Sequence, residues 1–294
     1  MNSAFIPNAR LSGMRTRGGF TLVEVMVALA ITSIIGAAVT SVFITQTRFY
    51  DRQEKVSDAR SISRGAMNIL TSELRMVERT GGVEFASPTK LTVYVPFALG
   101  ISCGGSGTSL RVRYVPTDPF VLADTAYAGY GVQQDDSTFS YSPPIDPTSN
   151  VMPSLGSGGS TCDAAGIKAV PGGGTLSIAV ANNPSLVDAG RPVKLYQRVT
   201  YEFKASTEVL GRRALWREQH RKPGGEELLA PFTDDARFEF YINDAPDPVP
   251  AAPANLAEIT GIRIVMNAQS ERPDPDGTYP VVPLATSVFF KNRL

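Results

Sequence analysis

The fold of this chain is decided by the segment Arg15-Thr-Arg-Gly-Gly-Phe-Thr-Leu-Val-Glu24 and by the apolar run that follows it. From Val25 to Thr47 the sequence contains no charged residue and no proline. A helix of that length reaches roughly 35 Å at about 1.5 Å per residue, which is enough to cross the hydrocarbon core of a bilayer. The sequence therefore predicts a membrane-spanning helix over residues 20–47.

The basic residues of this segment precede the apolar run. An ordinary secretory signal ends its apolar region at a small-residue cleavage site and is then discarded. Here Arg15, Arg17 and the glycine pair come before the apolar run, so a protease cutting after Gly19 would leave that run on the mature protein. Residues 1–19 are thus predicted to be a leader peptide, Phe20 becomes the new N-terminus, and Met14 is an alternative start to Met1.

These residues resemble the class III signal of type IV prepilins and type II secretion pseudopilins, through the run Gly19-Phe-Thr-Leu-Val-Glu-Val-Met-Val-Ala-Leu-Ala-Ile31. In that family a prepilin peptidase cuts after the glycine, the exposed phenylalanine is N-methylated, and a glutamate four residues further on is used in assembly. The resemblance implies these roles for Gly19, Phe20 and Glu24. It also implies that other pilin or pseudopilin subunits contact the chain through its N-terminal helix.

Glu24 stands out on physical grounds as well. A carboxylate near the end of a membrane helix costs up to a few kcal/mol if it is buried deeply, so it is a functional candidate. The free α-amino group of Phe20 on a neighbouring subunit could pair with it and set the axial register between two helices. The alternative is that Glu24 reaches the lipid headgroups and has no partner in the protein.

Composition and charge exclude several classes of protein. The chain has 294 residues, 43% apolar and 19% charged, which is typical of a folded protein with one medium or two small domains. Its 28 basic residues balance 28 acidic ones, and loss of the three leader arginines would leave the mature protein acidic. No basic cluster follows, so we expect no nucleic-acid partner. The basic leader predicts a cytoplasmic N-terminus and a periplasmic C-terminal domain, anchored in the inner membrane.

The membrane-spanning helix is predicted to continue out of the membrane as an amphipathic second half, over residues 48–80. Apolar residues recur three or four positions apart, which places them on one face of a helix. Gly81-Gly82 would end it. The apolar positions are Val56, Ala59, Ile62, Ala66, Ile69, Leu70, Leu74 and Val77.

The remainder, residues 81–294, is predicted to be β-rich. Apolar and polar residues alternate in several short runs, as in strands with one buried face. Between the early and late runs, residues 100–174 are rich in glycine, serine and proline and are interpreted as a loop-rich insertion. The predicted fold class is therefore α+β, with a long N-terminal helix packed on a mostly antiparallel sheet. The predicted strands lie near 91–97, 110–115, 175–180, 199–204, 214–218, 237–242, 259–266 and 286–290.

The late strands resemble, more weakly, the C-terminal half of the PilW-type minor pilins and the J-type pseudopilins. Chain length and the long insertion favour the PilW type. The departure from that pattern is Lys291, where the closing motif more often has arginine. The residues that carry the resemblance are Val199-Thr-Tyr-Glu-Phe203, Leu215-Trp-Arg217, Leu228-Leu-Ala230, Phe238-Glu-Phe-Tyr241 and Ala285-Thr-Ser-Val-Phe-Phe-Lys-Asn-Arg293.

Cys103 and Cys162 both fall in the loop-rich region. An oxidising periplasm would allow them to form a disulfide, worth roughly 4 kcal/mol on the chain-entropy estimate for a loop of this size. Two free thiols or a metal pair remain alternatives.

No catalytic or metal-binding constellation is predicted. His220 is the only histidine, and its surroundings are typical of a strand end that runs into a Pro-Gly turn, so it is expected to be packed or solvated. The run Asp274-Pro-Asp-Gly277 resembles half of a calcium loop but lacks regular ligand spacing and a closing glutamate. We therefore expect no enzyme, no cofactor and no metal.

Two functions of different classes follow from the sequence. The first is a minor pilin or pseudopilin that helps to initiate or cap a type IV pilus or a type II secretion pseudopilus. The alternative is a single-span membrane-anchored protein that displays its sheet domain for binding or adhesion. An anchored enzyme ranks third because no credible catalytic set is present.

Overall fold

The computed structural model describes residues 19–106, 108–115, 127–148, 154–156, 159–179 and 187–290. The leader residues Arg15 and Arg17 lie outside this range, as does Lys291 of the closing motif. The chain divides into two units, Met1–Arg52 and Gln53–Leu294. The fold is α+β, with a long N-terminal apolar helix and a large antiparallel sheet, so the predicted fold class is confirmed.

Helix α1 runs from Leu22 to Leu74 without a break. The sequence predicted that it would continue to residue 80 and end at the glycine pair, and this was wrong by about one and a half turns. The amides of Met76 and Val77 donate to the carbonyls of Glu73 and Leu74, three residues back. Such bonds tighten and end an α-helix, and they turn Val77 into the core, where its side chain is 1% exposed.

In the second unit, one face of α1 packs on the sheet. The stripe repeats every three or four residues and comprises Lys55, Ala59, Ser63, Ala66, Leu70 and Leu74. Its apolar members join the largest core cluster with strand residues such as Val93 and Leu215. Lys55 is satisfied there, because its ammonium donates to Pro273 O at 2.9 Å and lies 3.3 Å from Asp274 Oδ1. The predicted stripe was therefore right in its spacing and missed its two polar members.

Thirteen strands of the described part form one sheet, and every pairing between them is antiparallel. They are β1 Val83–Ala86, β2 Lys90–Ser106, β3 Ser109–Tyr114, β4 Gly129–Gln133, β5 Phe139–Tyr141, β6 Ser154–Leu155, β7 Gly174–Ala179, β8 Pro192–Ala205, β9 Arg213–Gln219, β10 Lys222–Phe232, β11 Arg237–Ile242, β12 Ile259–Gln269 and β13 Val281–Phe289. Their order is β11-β12-β10-β9-β8-β2-β3-β7-β6, with β13 beside β12, β1 beside β2, and β4 between β5 and β8.

The segment interpreted as a loop-rich insertion, residues 100–174, holds regular structure. It contains the end of β2, strands β3 to β6 and a short helix, α2, from Gly159 to Ala164. Alternating side chains of β3 and β7, among them Leu110, Val112 and Leu176, build a second apolar cluster there. Strand β3 was predicted from its alternation near residues 110–115. The glycines and prolines concealed β4 to β6, because such residues weaken the local β signal even where the chain pairs.

The Pro-Gly turn predicted after His220 was placed too late. The turn lies at His220 and Arg221, and Lys222-Pro-Gly-Gly225 begins β10. The pairing register between β9 and β10 shifts between Lys222 and Glu226. This irregularity accommodates the proline and the two glycines within the strand.

Candidate functional site

The candidate site lies at the start of α1. Gly19 and Phe20 precede the helix, and the Phe20 side chain is 80% exposed. Thr21 is the last residue before the helix, and its Oγ1 accepts a hydrogen bond from the amide of Glu24 at 3.3 Å. Thr21 is therefore the N-cap of α1. Cleavage after Gly19 would leave a new amino terminus one residue before this cap.

Glu24 lies in the first turn of α1, three residues after the cap. Thr21-Leu-Val-Glu24 has the Thr-x-x-Glu spacing of a capping box, and a carboxylate there interacts favourably with the positive end of the helix dipole. Glu24 thus supports the helix start, and its side chain is exposed. The role of Thr21 is not among those predicted from the sequence, although the Thr-x-x-Glu spacing is a recognised signal for the start of a helix.

The first unit presents a long, mainly apolar surface. Large side chains along it are between 62% and 78% exposed, namely Leu22, Val23, Met26, Leu29, Ile34 and Phe43. Among the described residues, Leu22–Leu74 is the helix long and apolar enough to cross a membrane. Since these side chains have no apolar cover within the described chain, lipid or other helices are the surroundings that suit them.

The hydroxyl groups of this segment are bonded within the helix. They donate to backbone carbonyls three or four residues earlier, at 2.7 to 2.9 Å, from Thr32, Ser33, Thr40, Ser41, Thr45 and Thr47. A polar group without a partner is costly in hydrocarbon. These hydroxyls are therefore compatible with a membrane.

Cys103 and Cys162 form a disulfide in the structure. Cys103 lies near the end of β2 and Cys162 in α2, and their side chains are 4% and 0% exposed. Arg113 of β3 also holds α2, since its guanidinium lies 2.6 Å from the carboxylate of Asp163. The disulfide and this ion pair attach the short helix to strands β2 and β3.

We expect loss of the disulfide to lower the free energy of unfolding of the β-rich unit by about 4 kcal/mol on the chain-entropy estimate, and its melting temperature by about 10 °C. Cys103→Ala, Cys162→Ala and the double variant should lose the same amount, because each removes one and the same bond. Thermal unfolding with and without reductant measures this. Reductant should leave the double variant unchanged, and an unchanged midpoint for the native chain would contradict the estimate.

A buried polar network ties the end of α1 to the sheet. Arg217 of β9 donates to Glu73 Oε1 at 2.8 Å, and the Tyr201 hydroxyl of β8 donates to the same carboxylate. The Glu73 and Arg217 side chains are only 17% and 12% exposed. Burial raises the pKa of Tyr201 well above its usual range, and the neighbouring Glu73 carboxylate raises it further. Tyr201 is therefore a neutral donor, and the Arg217 guanidinium balances the carboxylate.

The other polar residues considered from the sequence do not come together. His220 is partly buried, with Nε2 at 2.5 Å from Ile145 O. In the run that resembled a calcium loop, Asp276 accepts from the Thr278 amide and hydroxyl, and Asp274 faces Lys55. Within the part of the chain that the structure describes, no group of three or more His, Cys, Asp or Glu side chains is placed to hold a metal ion.

Comparison with known families identifies the start of the chain. The family model described as the prokaryotic N-terminal methylation motif matches residues 14–40. No curated protein and no solved structure matches the chain. The chain therefore carries a prepilin-type signal at the start of an apolar helix that could anchor it in a membrane. The motif implies processing by prepilin peptidase and assembly with other pilins, and it supports a type IV pilin-like or pseudopilin protein in general.

Proposed function

We propose that this chain is a minor pilin or pseudopilin that helps to initiate or cap a type IV pilus or a type II secretion pseudopilus. The observation that carries the proposal is the methylation motif over residues 14–40, which coincides with the capped, exposed start of α1. The role is structural rather than catalytic. Prepilin peptidase and sibling pilin subunits are its partners.

The position of Glu24 supports the assembly role. Cleavage after Gly19 would give Phe20 a charged amino group, and Glu24 lies one helical turn away on an otherwise apolar segment. Opposite charges in an apolar medium attract strongly. When helices lie side by side, the amine of one subunit meets the carboxylate of the next and fixes their axial offset.

The two units suit different surroundings in this proposal. The apolar first unit spans the inner membrane before assembly, with its basic leader in the cytoplasm. The β-rich unit then folds in the periplasm, where the Cys103–Cys162 bond can form. Assembly transfers the helix from lipid to the packed helices of a filament.

Cell fractionation tests this role. The chain should be recovered in sheared filaments, or in the pseudopilus when that is overproduced, in cells with an active prepilin peptidase and not in cells lacking it. Deleting the gene should sharply reduce the number of filaments if the chain helps to initiate them. A chain confined to the membrane fraction while filaments form normally without it would favour an anchored binding or adhesion protein.

A further inference from the structure

Strand β13 lies at one end of the sheet. All nine of its residues pair with β12, from Gly261 opposite Phe289 to Gln269 opposite Val281. Among the residues that the structure describes, β13 has no other strand beside it. One edge of β13 therefore faces outward.

The hydrogen bonds at its ends show which backbone groups face outward. The Phe290 amide donates to Thr260 O at 3.0 Å, and the Ser270 amide donates to Pro280 O at 3.0 Å. Even-numbered residues thus bond to β12, and because bonded and unbonded positions alternate in an antiparallel pair, odd-numbered residues point their N–H and C=O groups outward. Pro283, which has no N–H group, occupies one of these outward positions.

The outward edge is protected over only part of its length. Exposed edge strands commonly carry charged residues, lysine above all, that prevent another strand from pairing. The sequence of β13, Val281-Val-Pro-Leu-Ala-Thr-Ser-Val-Phe289, contains no charge. Pro283 blocks pairing only in the first part of the strand. The stretch from Ala285 to Phe289 is open to a partner strand.

An aromatic side chain is fixed beside this open stretch. Phe289 is 55% exposed, and its ring lies over Gly261, where a Cβ atom would come within 2.7 Å of it. The ring centroids of Phe289 and Tyr241 are 4.7 Å apart. The Tyr241 hydroxyl and the Ser287 hydroxyl are hydrogen-bonded at 2.9 Å. The Phe289 ring is therefore held over β12, on the side away from the outward edge, and leaves that edge accessible.

We propose that two copies of this chain pair through β13, antiparallel, about a two-fold axis at Ser287. The outward stretch is self-complementary in this register: Ser287 lies opposite Ser287 of the second copy, and Phe289 lies opposite Ala285. The three pairs provide about six backbone hydrogen bonds. In this register the small Ala285 lies opposite Phe289, so no bulky side chains collide across the new pair.

Charge does not oppose this pairing. The residue beside Ser287 on β12 is Arg263, whose side chain is 43% exposed. In the paired copies the two Arg263 residues are separated by three strand spacings, about 14 Å. This exceeds the screening length of about 8 to 10 Å at physiological salt. No like charges face each other directly across the new pair.

Cysteine cross-linking of the full chain in its membrane tests the register. In Ser287→Cys the two Cα atoms would be about 5.5 Å apart, within the range of a disulfide. In the matched control Val281→Cys, equally placed on the outer face, the two cysteines would be about 40 Å apart. We expect at least tenfold more disulfide-linked dimer from Ser287→Cys on a non-reducing gel. Equal yields, or no dimer from either variant, would overturn the proposal.

Charge exchange distinguishes this contact from other associations. Two differently tagged full-length copies should co-purify in detergent as wild type or as Ser287→Ala. When both copies carry Ser287→Lys, or both carry Ser287→Glu, the yield of the co-purified copy should fall at least tenfold. A mixture of one Ser287→Lys copy and one Ser287→Glu copy should restore that yield. Copies held together by their apolar helices would co-purify whatever the charge at 287. That result would contradict a contact between two copies through β13. A mixture of Ser287→Lys and Ser287→Glu that does not regain co-purification would also contradict it, and would indicate that β13 binds a strand of another protein.

Discussion

Replacing Glu24 with alanine is expected to leave cleavage and membrane insertion intact and to reduce incorporation into filaments at least tenfold. Truncating one partner of a buried charge pair costs roughly 2 to 5 kcal/mol, and each 1.4 kcal/mol is about a factor of ten. The cost arises because the amino group of Phe20 on the neighbouring subunit would be left without its counter-charge in apolar surroundings. The ratio of subunit in sheared filaments to subunit in membranes measures the effect.

Two further variants separate charge from helix capping. Glu24→Gln keeps the size of the side chain and removes its charge, so it should behave like Glu24→Ala. Thr21→Ala removes the cap that accepts from the Glu24 amide at 3.3 Å, which costs about 1 kcal/mol of helix stability. It should therefore incorporate far better than Glu24→Gln. If Glu24→Gln enters filaments as well as the native chain does, the pairing role is wrong.

Arg217→Ala is expected to destabilise the β-rich unit by about 3 to 5 kcal/mol, because it leaves the buried Glu73 carboxylate without its positive partner. The corresponding fall in melting temperature is about 10 °C for a unit of this size. Replacing both partners, as Glu73→Gln with Arg217→Met, should cost less than Arg217→Ala alone, since no unpaired charge remains. Thermal unfolding of the full chain in detergent, followed by circular dichroism, measures all three.

The chain offers a matched control for this prediction. Arg198 pairs with Glu84 at 2.5 Å, but these side chains are 28% and 31% exposed. Arg198 donates two hydrogen bonds to Glu84. Water screens this pair more than the Glu73–Arg217 pair, so its contribution is about 1 kcal/mol. Arg198→Ala should therefore lower the melting temperature by only a few degrees. Equal losses for Arg198→Ala and Arg217→Ala would mean that burial does not set the strength of the Glu73–Arg217 pair.

The sequence was most informative where structure depends on local pattern. The charge-free run after Glu24 predicted the apolar helix, and alternation near Val199 and Phe238 predicted strands that the structure contains in β8 and β11. Both signals arise from residues a few positions apart, because helix and strand periodicities are short. The methylation motif is equally local.

The parts that the sequence missed depend on residues far apart in the chain. Lys55 can lie on the buried face of α1 because its ammonium pairs with the Asp274 carboxylate. Glu73 can be buried because the Arg217 guanidinium donates a hydrogen bond to it. No periodicity links such positions, so a hydrophobic pattern could not place them. The end of α1 at Leu74 was missed for the same reason, since Val77 turns away to join a core built by later strands.

The free edge of β13 was also beyond the sequence alone. Strand periodicity predicted a strand near residues 286–290, but it does not say which strand lies beside it. Only the pairing with β12 shows that the odd-numbered backbone groups face outward. The absence of charge in β13 is informative only because the strand lies at the edge of the sheet, where charged residues commonly prevent pairing.

The most direct test of the account is the N-terminal mass of the mature chain, recovered from cells with an active prepilin peptidase. We expect the chain to begin at Phe20 and to carry one additional methyl group on its α-amine, with residues 1–19 removed. An uncleaved leader, or a mature terminus anywhere within the apolar run after Phe20, would contradict the central claim that this chain is processed as a prepilin.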